Sequence, residues 1–313
     1  MKFLRTVNGE VAAEALGLIL PHEHLFVDLR GPHVPGYAEG ERETVARLLK
    51  PWLERAEAAG VTALVECSTI GVGRNIPVLQ HLAQITPIHI IAPTGVYREA
   101  YIPANLRETS VEALAELWAR ELTEGIDDTP VRAGFIKIAM SDDGPTPLEE
   151  RNLRAAARAS QQTGAVIASH TSGGAQAIRR ELDILEAAGL DLGRFIWVHA
   201  HTEPDPAVHL EAAKRGAWVE FDAIGALDWF PEQSKMVDFV LHLLDAGFGD
   251  QILLSHDAGW YEPGQPEGRP AKGMRGYTAL VETFIPALKA RGVDDDIIRQ
   301  MTQTNPARAF AFG

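Results

Sequence analysis

The sequence predicts a single (β/α)₈ barrel covering residues 1–313. Eight short apolar runs alternate with amphipathic segments of helical period. The residues able to do chemistry gather at the C-terminal ends of those runs, where barrels of this kind build their sites. A doubly wound open sheet shares the alternation, and it is the placement of the reactive residues that favours the barrel. No Pro- or Gly-rich linker, low-complexity tract or short repeat divides the chain, so one domain is expected.

In chain order the strand candidates are "LGLILPHEHL", "VTALVECS", "IHIIAPTG", "GFIKIAM", "AVIASH", "FIWVHAH", "AWVEFD" and "QILLSHD". Helical patterns lie between them, among them "ERETVARLLKPWLERAEAAG", "SVEALAELWARELTEG", "TPLEERNLRAAARASQQTG" and "SKMVDFVLHLLDAGFG". Several close on a Gly just past the last periodic residue, the usual stop. In "TPLEE", Thr146 is the expected cap, with Pro147 in the first turn and Glu149 three residues after the cap.

The 313 residues are 46% hydrophobic and carry a formal net charge of −14. That acidic balance argues against a nucleic-acid partner, which wants a basic face, and the scattered basic residues argue against an anionic membrane. The one cysteine, Cys67, leaves no intramolecular disulfide and fits a reducing compartment. "VAAEALGLIL" near the start is interrupted by Glu14 and lacks the flanks of a leader. No apolar run is long enough to span a bilayer. A soluble cytoplasmic protein is expected.

Of eleven histidines, His22, His24, His170, His199, His201 and His256 fall at strand ends. His81, His209 and His242 fall in helical stretches, His33 in a loop and His89 at the start of its strand, and these read as solvated or packed. In "HEH", His22 and His24 are two apart, so on a strand both point to one face and can share a divalent metal. Later strands add Lys137, His170, His199 and Asp257.

Lys137 sits inside an apolar run, where an ammonium without a partner is costly. With Phe135 and Ala139 it would face the barrel mouth. A neutral lysine amine can add carbon dioxide to give a carbamate, an anionic oxygen ligand shared by two metals. Two divalent ions against one aspartate, one carbamate and one hydroxide leave a net charge of about +1, suited to an ester whose transition state becomes anionic.

These residues resemble the phosphotriesterase family of the amidohydrolase superfamily, in particular its phosphotriesterase-like lactonase and phosphotriesterase-homology branches. The matching stretches are "LPHEHL" (20–25), "GFIKIA" (134–139), "ASHT" (168–171), "WVHAHTEPD" (197–205), "LLSHD" (253–257) and "NPARAF" (305–310), in the family's order. The resemblance implies that His22, His24 and Asp257 hold one metal and His170 and His199 the other. N6-carboxylated Lys137 and a hydroxide would bridge them. Counting back from "KRG" (214–216) favours His199 over His201, both taken to share a strand face. Asp257 would accept the proton of the attacking hydroxide, and Tyr97 would orient substrate or assist the leaving alkoxide. The metals are zinc, or cobalt, manganese or iron. The reaction implied is opening of a lactone or ester, with weak phosphotriesterase activity alongside, in a homodimer that the apolar stretch near Trp229 and Phe230 could serve.

One position departs from the pattern. Acyl-homoserine lactonases usually carry an arginine after the seventh-strand aspartate, and "EFDAIG" has Ala223 there. That leaves plain lactones, sugar lactones (phosphorylated ones included) and other esters or amides open as substrates. The long loop 258–277 offers Trp260 and Tyr261 as pocket walls, while Lys272 and Arg275 are read as solvated or as anion contacts. Glu66 and Asp222 close strands two and seven as partners for ligand imidazoles or as plain polar strand ends. A Schiff-base Lys137 in an aldolase-type barrel and a barrel that binds without turnover are the rival readings. The first leaves the strand-end histidines without a role.

Overall fold

The computed structural model describes residues 2–313. A short antiparallel hairpin, β1 (Phe3–Thr6) and β2 (Gly9–Ala12), precedes the first long strand, β3 (Leu18–Phe26). Parallel strands then alternate with helices: β4 (Val61–Glu66), β5 (His89–Ile91), β6 (Pro93–Thr94), β7 (Phe135–Ala139), β8 (Ile167–His170), β9 (Phe195–Val198), β10 (Trp218–Phe221), β11 (Ile252–Leu254) and β12 (Gly259–Tyr261). The connecting helices are α1 (Arg42–Ala58), α2 (Ile76–Ile85), α3 (Ala104–Arg107), α4 (Val111–Thr123), α5 (Pro147–Thr163), α6 (Gly174–Ala187), α7 (Pro206–Lys214) and α8 (Gln233–Asp245). All eight strand candidates are found. The third run is split at Ala92 into β5 and β6, and β12 is an additional strand beyond the eighth run.

The strands form two parallel sheets, ordered β11-β10-β9-β8-β7-β6 and β12-β3-β4-β5. The ladders are not continuous where the sheets meet, at Ala92 and at 255–258. Single hydrogen bonds span the second seam, from Asp257 N to the His22 carbonyl at 3.2 Å and from His24 N to the Ala258 carbonyl at 2.9 Å. The Ser255 hydroxyl joins them, 3.0 Å from His22 N and 2.9 Å from the His22 carbonyl.

Side chains separate by the two-residue period of the strands. Ile136 and Ile138 of β7 pack outward among the helices, in a core that runs from Val7 to Phe312. Phe135 turns the other way, into a separate cluster with Ile19, Val65, Ile91, Ala168, Ile196, Leu253 and Phe310. Both sheets therefore contribute inward faces to one apolar body, and Lys137 shares the Phe135 face. Local chemistry sets the element ends. Thr146 and Glu149 form the reciprocal cap of α5, and Gly164 closes it at φ 82°, a backbone angle that costs glycine little.

Candidate metal centre

A cavity of about 140 Å³ opens at the C-terminal ends of the strands, lined by His22, His24, Cys67, Tyr97, Lys137, His170, His199, Asp257 and Trp260 among others. Strand alternation on β3 brings His22 and His24 to it together, with ring centres 5.4 Å apart. His24 Nε2 lies 2.9 Å and His22 Nε2 3.5 Å from Asp257 Oδ1. These three residues present donor atoms within 4.8 Å of one another, room for one cation. Across the cavity, His170 Nδ1 and His199 Nε2 face each other at 2.8 Å. Lys137 Nζ is buried without any hydrogen-bond partner. Such an atom in such company fits a group that is completed by something bound.

The far nitrogens of the imidazoles are held from behind. Asp222 Oδ2 lies 3.0 Å from His22 Nδ1, and Asp222 Oδ1 lies 2.8 Å from His199 Nδ1. Glu220 adds a second carboxylate to His22 Nδ1 at 2.9 Å. His22, His199 and Asp222 thus form a second compact donor group, but Asp222 is fully buried outside the cavity lining, so its place is to aim the two rings. Ser68 Oγ holds His24 Nδ1 at 2.8 Å. Glu66 stands 3.6 Å from that nitrogen and instead accepts the backbone N–H groups of Leu25 and Ser68.

Proton affinities follow from this packing. Burial and the neighbouring Lys137 push His22 down to about 3 against the pull of Asp222. Burial, His199 and Lys137 push His170 well below its ordinary value. Both are neutral imidazoles with lone pairs to give. Burial alone would lower His24 too, but its bond with Asp257 and the nearby Glu66 carboxylate lift it to about 9. Burial works against ionised Asp257, yet its bond to His24 and the charge that ring carries keep its carboxyl well below the usual range. Burial raises the Tyr97 phenol to about 12, so it remains a donor at neutral pH.

Two donors sit on strained backbone, His199 at φ 65° and Asp257 at φ 50°. Non-glycine residues there cost roughly 1–3 kcal/mol each and persist only where surroundings insist on them. The surroundings are visible. His199 N donates to Asp222 Oδ2 at 3.0 Å, and the Asp257 carbonyl accepts from Arg275 Nη2. Glu23 binds the residues on either side of Asp257, accepting from His256 N at 3.1 Å and Ala258 N at 3.1 Å.

Several expectations are corrected. His201 does not share a strand face with His199, because β9 ends at Val198 and His201 lies in a 3₁₀ turn. It is fully buried against Trp229 and Phe230, 3.2 Å from Asp222 and away from the cavity. His256 also turns away. Its Nδ1 donates to Glu23 at 2.5 Å, and its Nε2 accepts from Leu280 N at 2.9 Å. Tyr261 is not a pocket wall. Consecutive residues of β12 face opposite sides, so Trp260 meets His24 edge-on at 5.9 Å while Tyr261 stacks on Phe26 at 5.7 Å. Lys272 is exposed, and Arg275 is engaged by the His256 and Asp257 carbonyls. Reading the sequence singled out neither Arg98, Glu23, Ser68 nor Glu220. A carboxylate buried inside an apolar strand, as in "PHEHL" and "WVEFD", was the available signal for Glu23 and Glu220.

Residues 2–310 match the Phosphotriesterase family. A phosphotriesterase homology protein of Mycobacterium tuberculosis is 31% identical over 99% of this chain and 98% of its own. An aryldialkylphosphatase of Saccharolobus solfataricus is 29% identical over 97% and 98%, and an N-acetyltaurine hydrolase of Danio rerio 26% over 99% and 98%. Among solved structures, a variant of the Deinococcus radiodurans PTE-like lactonase superposes with a TM-score of 0.87 at 31% identity, over 98% of this chain and 99% of that one. The chain belongs to the phosphotriesterase family and is a hydrolase.

Proposed function

We propose that this chain is a binuclear metal-dependent lactonase or esterase with weak phosphotriesterase activity, built on one closed (β/α)₈ barrel domain. The observation that carries the reading is the unpartnered, buried Lys137 Nζ in the lining of the cavity that the converging His22, His24 and Asp257 share with the facing His170 and His199. His22, His24 and Asp257 would hold one ion and His170 and His199 the other, zinc foremost, with Lys137 as its carbamate between them. Bound there, two such ions would polarise a substrate carbonyl and supply hydroxide at neutral pH. The closed barrel is supported by the single apolar cluster to which both sheets contribute.

The remaining steps belong to the chain's own side chains. Asp257 accepts the proton as attack proceeds, ready because it is ionised at neutral pH. The Tyr97 hydroxyl, 3.3 Å from His170 Nδ1, offers a proton or hydrogen bond to the departing alkoxide. Trp260 walls the cavity beside His24, where it can bound the substrate. The N-acetyltaurine hydrolase relative favours a second reading, in which the scissile bond is an amide. A homodimer is proposed with it, with exposed Leu227 and Trp229 supplying apolar surface for a second copy.

The test is bound metal per chain together with turnover of lactones, esters, acylated amines and a phosphotriester, for wild type and Lys137→Ala with metal and bicarbonate supplied. Two metals per wild-type chain, and activity that collapses with the lysine, are expected. A variant keeping both metals and full activity would show that Lys137 is not the bridge.

A further inference from the structure

Arg98 follows Tyr97 on the loop after β6 and lays its guanidinium against the second histidine pair. Its Nη2 stands 3.2 Å from His170 Nε2 and 3.3 Å from the Tyr97 hydroxyl. Its Nη1 is 3.3 Å from Asp142, a carboxylate that is itself 66% exposed. The Nε of Arg98 is buried with no acceptor.

Proton counting shows that this arrangement cannot coexist with a metal on His170. A guanidinium has only donors, and a neutral imidazole has one N–H and one lone pair. Nη2 therefore donates to His170 Nε2, which puts the ring proton on Nδ1, aimed at His199 Nε2. His199 keeps its own proton on Nδ1, against Asp222. A cation taken by the facing nitrogens, 2.8 Å apart, needs both lone pairs. The His170 proton then sits on Nε2, where it meets the Arg98 N–H, donor against donor. The guanidinium must leave His170, and two of its N–H positions then lack acceptors at the rim of the cavity beside Tyr97.

We propose that Arg98 receives an anionic substituent of the substrate, a carboxylate, phosphate or sulfonate carried on the ester, lactone or amide whose carbonyl reaches the metal centre. This rests on the binuclear hydrolase reading above. The planar fork suits two-point recognition of such a group. Other cations nearby are committed or remote. Lys137 lines the cavity but is taken up as the carbamate on that reading, Arg275 is bound to two carbonyls, and Lys272 is exposed on the loop.

The experiment compares matched substrates on the metal-loaded protein: phenyl acetate against monophenyl succinate, and its phosphate- and sulfonate-bearing analogues. The ratio of kcat/KM, anionic over neutral, should favour the anion in wild type. It should fall by about tenfold or more in Arg98→Gln, mainly through KM, and recover in part in Arg98→Lys. Calorimetric binding of succinate, phosphate or methanesulfonate to the loaded protein should weaken in parallel, and the anion held best identifies the substituent. A ratio unchanged by Arg98→Gln, or succinate, phosphate and methanesulfonate binding unchanged by it, overturns the proposal. So does a variant that merely loses metal or slows both substrates equally, because that is what a residue supporting His170 would do. Two metals and turnover of the neutral ester, without any effect of Arg98 on the ratio, would overturn this inference alone. A chain that takes up no metal would overturn the hydrolase mechanism with it.

Discussion

The Asp222 carboxylate grips His199 twice, accepting its backbone N–H at 3.0 Å and lying 2.8 Å from its Nδ1. One acid thereby fixes both the left-handed backbone of His199 and the direction of its ring. It also holds His22. Asp222→Asn puts an amide N–H against at least one of these donors. Metal affinity should fall about 10–100-fold, the usual scale for losing such a partner. Competition with a chelator measures it, and an unchanged affinity would show that the rings are aimed by packing alone.

On the proposed reading, Lys137 contributes function at the expense of stability. Its Nζ has no partner and the residue is 1% exposed. Lys137→Met replaces it with an apolar chain of similar length. In protein freed of metal and bicarbonate, the substitution should raise Tm by about 2 °C or more, since removing a buried polar group commonly returns a kcal/mol or more. Loaded with metal, the order should reverse. A lower Tm for the metal-free variant would mean that the amine is already satisfied in the native protein.

What could be seen in the sequence divides along the physics of the chain. Strand period is local, so "HEH" placed His22 and His24 on one face, and Lys137 with Phe135 followed the same rule. Residues that close on the cavity from strand ends were equally legible as a set. Period fails once the chain leaves the strand. His199 and His201 share a face only if β9 continues, and the turn at His199 sends them to different sides. In the sequence Trp260 and Tyr261 belong to a loop, and the alternation that separates them arises only because β12 pairs with β3. Partners such as Asp222, Ser68 and Arg98 come from other strands. Only tertiary structure says which donor they meet.

Burial makes Glu181 a pH-sensitive element of stability. One of its oxygens accepts from the Thr171 hydroxyl at 2.5 Å, while the other has no partner. Burial pushes its carboxyl up to about 8 from the ordinary 4.5. The folded state therefore binds a proton that the unfolded chain has already released. Its contribution is fully present below about pH 4.5 and is lost as pH rises through about 8. Each pH unit in that window costs about 1.4 kcal/mol at most. Glu181→Gln removes the ionisation, so its Tm should fall less than that of wild type across the window. Parallel curves would refute the account.

Trp260 and Tyr261 are neighbours in the chain and should respond in opposite ways. Trp260 stands at φ 72° with its indole edge-on to His24 and lines the cavity. Trp260→Ala opens that wall, so KM should rise about tenfold, the scale of one lost aromatic contact, with the melting temperature little altered. Tyr261 has its ring on Phe26 at an interplanar angle of 14°, and Gly268 approaches it so closely that any side chain there would collide with the Tyr261 ring. Tyr261→Ala should therefore cost about 1–3 kcal/mol of stability and leave KM within about twofold where the protein remains folded. Thermal unfolding and steady-state kinetics on the two variants settle the division. If Tyr261→Ala raised KM as Trp260→Ala does, the ring would have to reach the substrate, and the alternation of β12 would not describe the protein in solution.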